Sequence, residues 1–229
     1  MTPSADLREN ALVRQVVAGV LVAMYSASCG MASAAPPPVP PVSDAARAAG
    51  LVDVLTVVPD GIIDLRYATP NNFVGIPLYP AGARCLVHES MAQGLAAAAD
   101  ALRPQGEVLV FWDCYRPHDV QVRMWEAVPD PNWVARPGSY ARSHEAGRSV
   151  DVTIARGGAL VDMGTDFDDF TPKALAFATD GVSAAAQANR AALRDAMKAG
   201  GLTVYKGEWW HFDTDDADVK RPILDVPVN

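Results

Sequence analysis

The chain has 229 residues, with 19 Lys+Arg against 27 Asp+Glu for a formal net charge of −8; half of its residues are apolar and a fifth are charged. That length and apolar content allow one domain with a substantial core and exclude wholesale disorder. The acidic balance offers no grip on phosphates, which argues against nucleic acid as a partner and against adsorption to an anionic bilayer.

Taken in chain order, Arg8 and Arg14 precede an apolar run from Val16 to Tyr25, and small residues follow up to Ala32-Ser33-Ala34. A charged start, an apolar middle and an A-x-A exit are the order of a secretory signal peptide over 1–34. The middle falls short of the about 20 apolar residues a bilayer span needs, so no stable span is expected after cleavage. Cleavage after Ala34 removes Asp6, Glu9, Arg8 and Arg14 and leaves the net charge unchanged. The product is expected in the periplasm or cell envelope, or secreted. Ser26-Ala27-Ser28-Cys29 is similar to a bacterial lipobox with Ser where Leu is usual, so a lipoprotein anchored through Cys29 is the alternative. The proline-rich run from Pro36 to Pro41 must be extended, which makes 35–44 a linker and 45–229 the folded domain.

Ile62 to Tyr67 reads as a strand closed by Thr69-Pro70-Asn71-Asn72. Residues 88–103 place Met91, Leu95, Ala98 and Leu102 at helical spacing, and Val108 to Trp112 is then a buried strand. A second helix is expected from Asp119 as N-cap, and 128–140, with three prolines and a glycine, as a loop. Ser149 to Ile154 alternates, with Val150, Val152 and Ile154 on one face and Asp151 and Thr153 on the other. A long helix over 184–199 should stop at Gly200-Gly201, and Leu202–Tyr205 and Trp209–Asp213 supply closing strands. The predicted fold is α+β, a single domain with a mostly antiparallel central sheet covered by helices. Cys85 and Cys114 remain after the leader; an oxidising compartment permits their pairing, but sequence does not say whether their Cα atoms come within range.

The chemistry concentrates around two of the four histidines. His144 lies seven residues before the strand carboxylate Asp151, and His211 lies three after Glu208. Two imidazoles and one carboxylate make a three-ligand zinc site that leaves one position for water, with one Zn2+ per chain. Glu208 is then the candidate base. On a regular strand Glu208 and His211 would point to opposite faces, so Gly207 is expected to allow a bulge or turn, and Gly147 to fold the loop that brings His144 to Asp151. His88 and His118 have no such surroundings and are assigned to no metal.

These segments resemble the zinc D-alanyl-D-alanine dipeptidases, the VanX-type members of a hedgehog-like D,D-peptidase group, over most of the chain from Ile62 to His211. The pattern S-x-H-x(2)-G-x-A-x-D is similar to the segment reaching Asp151, E-x-W-H to Glu208–His211, and W-D-x-Y-R-P to Trp112–Pro117. Asp64-Leu65-Arg66-Tyr67-Ala68-Thr69 with Asn71-Asn72-Phe73 is similar to the family's early strand and turn. The resemblance implies zinc ligands His144, Asp151 and His211, catalytic Glu208, and Arg116 at the oxyanion. It also implies a substrate site including Asp168 for the dipeptide ammonium, Tyr67 and Ser143. The motif serine is Arg142 here with Ser143 shifted by one, and the motif alanine is Ser149, which puts affinity or breadth in question rather than hydrolysis. The implied reaction is hydrolysis of D-Ala-D-Ala to two D-Ala. The dipeptide pool used for wall precursors is cytosolic, so an exported enzyme points to turnover of wall-derived dipeptide. The alternatives are a D,D-carboxypeptidase acting on longer wall peptides and a non-catalytic envelope zinc-binding module. The partner is a small dipeptide, and nothing indicates the oligomeric state.

Overall fold

The structure, a computed structural model, describes residues 38–229. The expected signal peptide, Cys29 and the first residues of the spacer lie outside them. Helix α1 (Asp44–Ala48) is capped by Ser43, whose hydroxyl accepts from the Ala46 N–H at 3.1 Å. The far end of the spacer expected over 35–44 is tied to the domain. Arg84 donates to the carbonyls of Pro40 and Pro41 at 2.6 and 3.1 Å, and its Nε donates to Asp53 at 2.7 Å.

Strand β1 (Leu51–Asp53) is followed by β2 (Ile62–Ile63), β3 (Leu86–His88), α2 (Ala92–Leu102), β4 (Glu107–Asp113) and α3 (His118–Ala127). Then come β5 (Ser149–Arg156), β6 (Ala159–Leu160), α4 (Ala184–Ala199), β7 (Thr203–Val204) and β8 (His211–Asp213). The main sheet runs β2-β4-β5-β8-β7, with β6 on β5; β2 lies parallel to β4 and the other pairs are antiparallel. Strands β1 and β3 form a separate antiparallel pair. The α+β, mostly antiparallel expectation holds, and α4 has the bounds expected for it. Ser183 caps α4 through a 3.1 Å bond from the Ala186 N–H. Helices α2 and α4 meet closely at Gly94, where an added Cβ would lie 2.4 Å from the Gly200 carbonyl oxygen.

Four local expectations change. The strand expected over Ile62–Tyr67 is regular only at Ile62–Ile63; a 3-10 turn over Arg66–Ala68 follows and buries Tyr67. The helix expected over 88–103 gives His88 to β3 and residues 89–91 to a 3-10 turn, because the His88 ring accepts from the Ser90 N–H and caps it. Helix α3 begins at His118 after Pro117, and Asp119 sits in its first turn rather than at the N-cap, a position where a carboxylate still favours the helix dipole. Of Trp209–Asp213 only the last three residues pair regularly; Trp209 and Trp210 are buried just before them.

The register positions what matters. Asp151 on β5 lies opposite His211 on β8, and a bulge between Phe111 and Asp113 brings Asp113 on β4 opposite Asp151. A bulge re-aims the side chains after it, so Asp113, Asp151 and His211 stand abreast across three strands. Val150, Val152 and Ile154 join the apolar core.

Candidate metal centre and active site

His144 reaches this row from a 3-10 turn over Ser143–Ala146, which Gly147 ends at φ +66. A Cβ there would stand 2.7 Å from Leu51 Cδ2, so glycine is required twice over, by backbone conformation and by space. His144 Nε2 lies 3.1 Å from His211 Nδ1 and 3.3 Å from Asp151 Oδ1, and His211 Nδ1 lies 3.1 Å from the same oxygen. Glu208 is carried by a turn, its N–H donating to the Tyr205 carbonyl at 3.3 Å, and its Oε2 sits 3.8 Å from His211 Nδ1. The turn invoked around Gly207 is present; an added Cβ there would meet the Tyr205 ring at 2.4 Å.

The outer ring nitrogens decide which atoms face inward. His144 Nδ1–H donates to the Cys114 carbonyl at 2.8 Å and His211 Nε2–H donates to Asp213 Oδ1 at 2.9 Å. Both imidazoles therefore turn lone pairs toward each other and toward a carboxylate, all buried. Three acceptors without a proton between them repel unless a cation lies among them. Their separations match the edge of about 3.3 Å of a tetrahedron with bonds of about 2.05 Å, the zinc value for N and O ligands. Electrostatics point the same way. Burial disfavours charge on His211, yet Asp213 and Asp151 outweigh it and raise its pKa well above the ordinary imidazole value. The pocket demands positive charge, and a divalent cation supplies it in place of protons. The residues present fit zinc.

Around the donors lies a cleft of about 420 Å3. Burial pushes the Glu208 carboxyl up to about 7, against the opposing pull of His211. Arg116 donates from Nε and Nη2 to Asp113 Oδ2 at 2.9 and 2.7 Å and from Nη1 to Gln121 at 2.7 Å, while Nη2 stands 3.9 Å from Asp151. Arg116 is thus ion-paired with Asp113, and its guanidinium also faces the cleft. Burial works against its charge, but Asp113 outweighs this and keeps Arg116 protonated. Tyr67 donates its hydroxyl to Asp168 Oδ2 at 2.9 Å. Asp168 has φ +55, and burial, then Asp151 and Glu208, hold its carboxyl well above the usual carboxylate range. A cationic ligand is what would restore its charge.

Ser143 lines the cleft with φ +51, but its hydroxyl is 2.8 Å from that of Ser149, which itself donates to Asp213. Ser149 has one proton, so Ser143 spends its own on Ser149 and offers the cleft only lone pairs. Sequence reasoning missed Gln121 and Asp213. Asp213 had a signal, two residues beyond His211 on the same strand face; Gln121 had none. Phe73, Trp133 and Phe170 also line the cleft, Phe170 lying 5.1 Å from Phe73 and stacked 5.3 Å from Trp133. His118 instead pairs with Glu145 at 2.5 Å, and His88 with Ser90 and Arg148 at 3.0 and 3.1 Å.

Three converging metal donors at a sheet end, with a carboxylate and a guanidinium beside them, define the class: a metal-dependent hydrolase. Comparison with known proteins narrows it. The family model described as D-ala-D-ala dipeptidase, Peptidase_M15, matches residues 47–229. A D-alanyl-D-alanine dipeptidase of Escherichia coli is 36% identical over 175 residues, covering 76% of this chain and 89% of the relative. One from Enterococcus faecium is 31% identical over 187 residues, covering 72% and 91%. Among solved structures, a vancomycin-resistance D,D-pentapeptidase, VanY, covers 59% of this chain and 82% of its own at 16% identity and a TM-score of 0.36. The chain belongs to the D-Ala-D-Ala dipeptidase family of M15 metallopeptidases.

Proposed function

We propose that this protein is a zinc-dependent dipeptidase of the cell envelope that hydrolyses D-Ala-D-Ala, with His144, Asp151 and His211 holding one zinc ion and Glu208 acting as general base. The observation that carries the reading is the convergence of three inward-facing donors 3.1–3.3 Å apart with Glu208 beside them. Zinc, when bound, supplies a Lewis acid that polarises a carbonyl and eases deprotonation of water. Glu208 takes the proton of the attacking water and passes it to the leaving amine, a task suited to a carboxyl poised near neutrality. Arg116 stabilises the negative charge that grows on the carbonyl oxygen. The test is metal analysis of the purified chain and release of free alanine from D-Ala-D-Ala beside a Glu208→Ala control. Absence of zinc or of alanine release overturns the reading. Export rests on the leader over 1–34; an intact chain recovered from the cytosol would overturn the envelope location.

A free dipeptide is a zwitterion, and the cleft is lined by both an acid, Asp168, and a base, Arg142. Asp168, with Tyr67, is the proposed partner of the ammonium, which favours a dipeptide over chains extended at the N-terminus. Asp168→Ala is expected to lower kcat/KM for D-Ala-D-Ala by about 10–100-fold, the worth of a hydrogen bond to a charged group, with zinc content unchanged. N-acetyl-D-Ala-D-Ala should be a poor substrate of the wild type and insensitive to the substitution. Equal turnover of the free and acetylated peptides would favour the longer-peptide carboxypeptidase instead.

At the other end, Ser143 has no proton to give a carboxylate, and Arg116, paired with Asp113, is assigned to the carbonyl oxygen. Arg142, two residues before His144, lines the cleft, and among the described residues its guanidinium is held only by a 3.8 Å approach to the 96%-exposed Asp218 side chain. Arg142 is therefore the proposed partner of the substrate carboxylate. Arg142→Ser is expected to raise KM for D-Ala-D-Ala about tenfold with kcat little changed, and to erase the preference for the free acid over its C-terminal amide. A preference that survives the substitution counts against the assignment.

A further inference from the structure

Cys85 and Cys114 are joined by a disulfide with Cα atoms 5.2 Å apart, and both are buried at 1% exposure. The bond links the small β1–β3 sheet to the end of β4 in the main sheet, and the residues it touches frame the metal centre. The Cys114 carbonyl accepts the 2.8 Å bond from Nδ1–H of His144 that leaves Nε2 facing inward. The next two residues continue the contact: the Tyr115 N–H donates to the Leu86 carbonyl at 2.7 Å and the Arg116 N–H to the His144 carbonyl at 3.0 Å. From the other side, the Val54 N–H donates to Cys85 at 2.9 Å, and the His88 N–H donates to Gly147 at 2.7 Å. The turn that carries His144 is thus held between β3 and the Cys114–Arg116 segment, the two pieces of chain that the disulfide staples together.

We propose that the Cys85–Cys114 disulfide gates the metal centre: oxidised, it holds the Cys114 carbonyl and the 143–147 turn so that His144 Nε2 faces His211 and Asp151, and as two thiols the site binds zinc poorly. The proposal rests on the zinc-peptidase reading above and adds its regulation. The two thiols react with a disulfide of the oxidising compartment by thiol–disulfide exchange. The Cys85–Cys114 bond forms, the reagent's S–S bond breaks, and its two sulfurs leave as thiols carrying the two electrons and two protons. Because both sulfurs are buried in the folded protein, exchange precedes closure of the core, and the finished bond is shielded from reductants. In a reducing cytosol the thiols persist. A chain still awaiting export would then spare the cytosolic dipeptide pool and acquire a competent site only outside.

The experiment measures zinc affinity of the purified chain by competition with a chromophoric chelator. It compares the oxidised wild type, the Cys85→Ala/Cys114→Ala variant, and wild type refolded in a phosphine reductant, part of which is then unfolded, reoxidised with glutathione disulfide and refolded. Loss of a group that orients a metal ligand typically weakens affinity 10–100-fold. The expected result is a zinc Kd raised at least tenfold in the double variant and in the reduced wild type, restored by reoxidation of the wild type. All values are read well below each form's Tm, since a merely structural disulfide lowers Tm without moving the Kd of the folded protein. If the double variant does not fold, Cys85→Ala alone, which keeps Cys114, replaces it. A folded variant with wild-type Kd overturns the gate while leaving the peptidase reading intact; no zinc on the oxidised wild type overturns both.

Discussion

Glu208→Gln is expected to lower kcat for D-Ala-D-Ala by about 10^2–10^4-fold, the range typical of a general base, while the purified variant keeps its zinc. The two effects separate because Glu208 is not one of the three converging donors: its Oε2 is 3.8 Å from His211 Nδ1, whereas the donors lie 3.1–3.3 Å from one another. Glutamine keeps the shape and hydrogen-bonding length of the side chain but cannot accept the proton of water. KM should change little, since the proposed partners of the substrate's charged ends are Asp168 and Arg142. Steady-state alanine release, with metal measured on the same sample, checks the result. Activity within tenfold of wild type would remove Glu208 from the role, and loss of zinc would make it a ligand.

Arg116→Ala is expected to cost the protein twice. Asp113 is fully buried and accepts two bonds from Arg116 and one from Tyr79. Removing the guanidinium strands that carboxylate, which typically destabilises by about 3–5 kcal/mol, a fall in Tm on the order of 10 °C for a domain of this size. Removing the charge proposed to meet the oxyanion is expected to lower kcat by about 10^2–10^3-fold. The double variant Asp113→Asn/Arg116→Ala separates the two effects. It no longer buries an unpaired charge, so most of the Tm should return, measured by calorimetry, while kcat stays low. Recovery of kcat together with Tm would make Arg116 a structural partner only.

The parts of the fold that were legible from sequence are those whose signal is local. Helix α4 was expected over 184–199 with a Gly200-Gly201 stop, and it forms over those bounds. Strand β5 is marked by strict alternation, which also placed Asp151 on the face opposite Val150 and Val152. The strand expected at Ile62–Tyr67 failed because its apolar content suits either extended chain or a buried turn, and the choice was made by the parallel pairing of β2 to β4, which ends after two residues. Helix α2 started late because a side chain, His88, captured a backbone N–H that periodicity cannot see.

The candidate site divides along the same line. Residue types and spacings were enough to single out His144, Asp151, Glu208 and His211, because zinc chemistry needs that donor set and short glycine-containing motifs carry it. Only tertiary structure aligned Asp151 with His211 by strand register, brought Asp113 abreast of them through a bulge, and turned both imidazole lone pairs inward through Cys114 and Asp213. Whether Cys85 meets Cys114, whether the Ser143 proton is free, and which guanidinium is left for the substrate are questions of distance between segments far apart in the chain. Composition and spacing set which side chains are available, and packing alone sets which of their atoms are left without a partner.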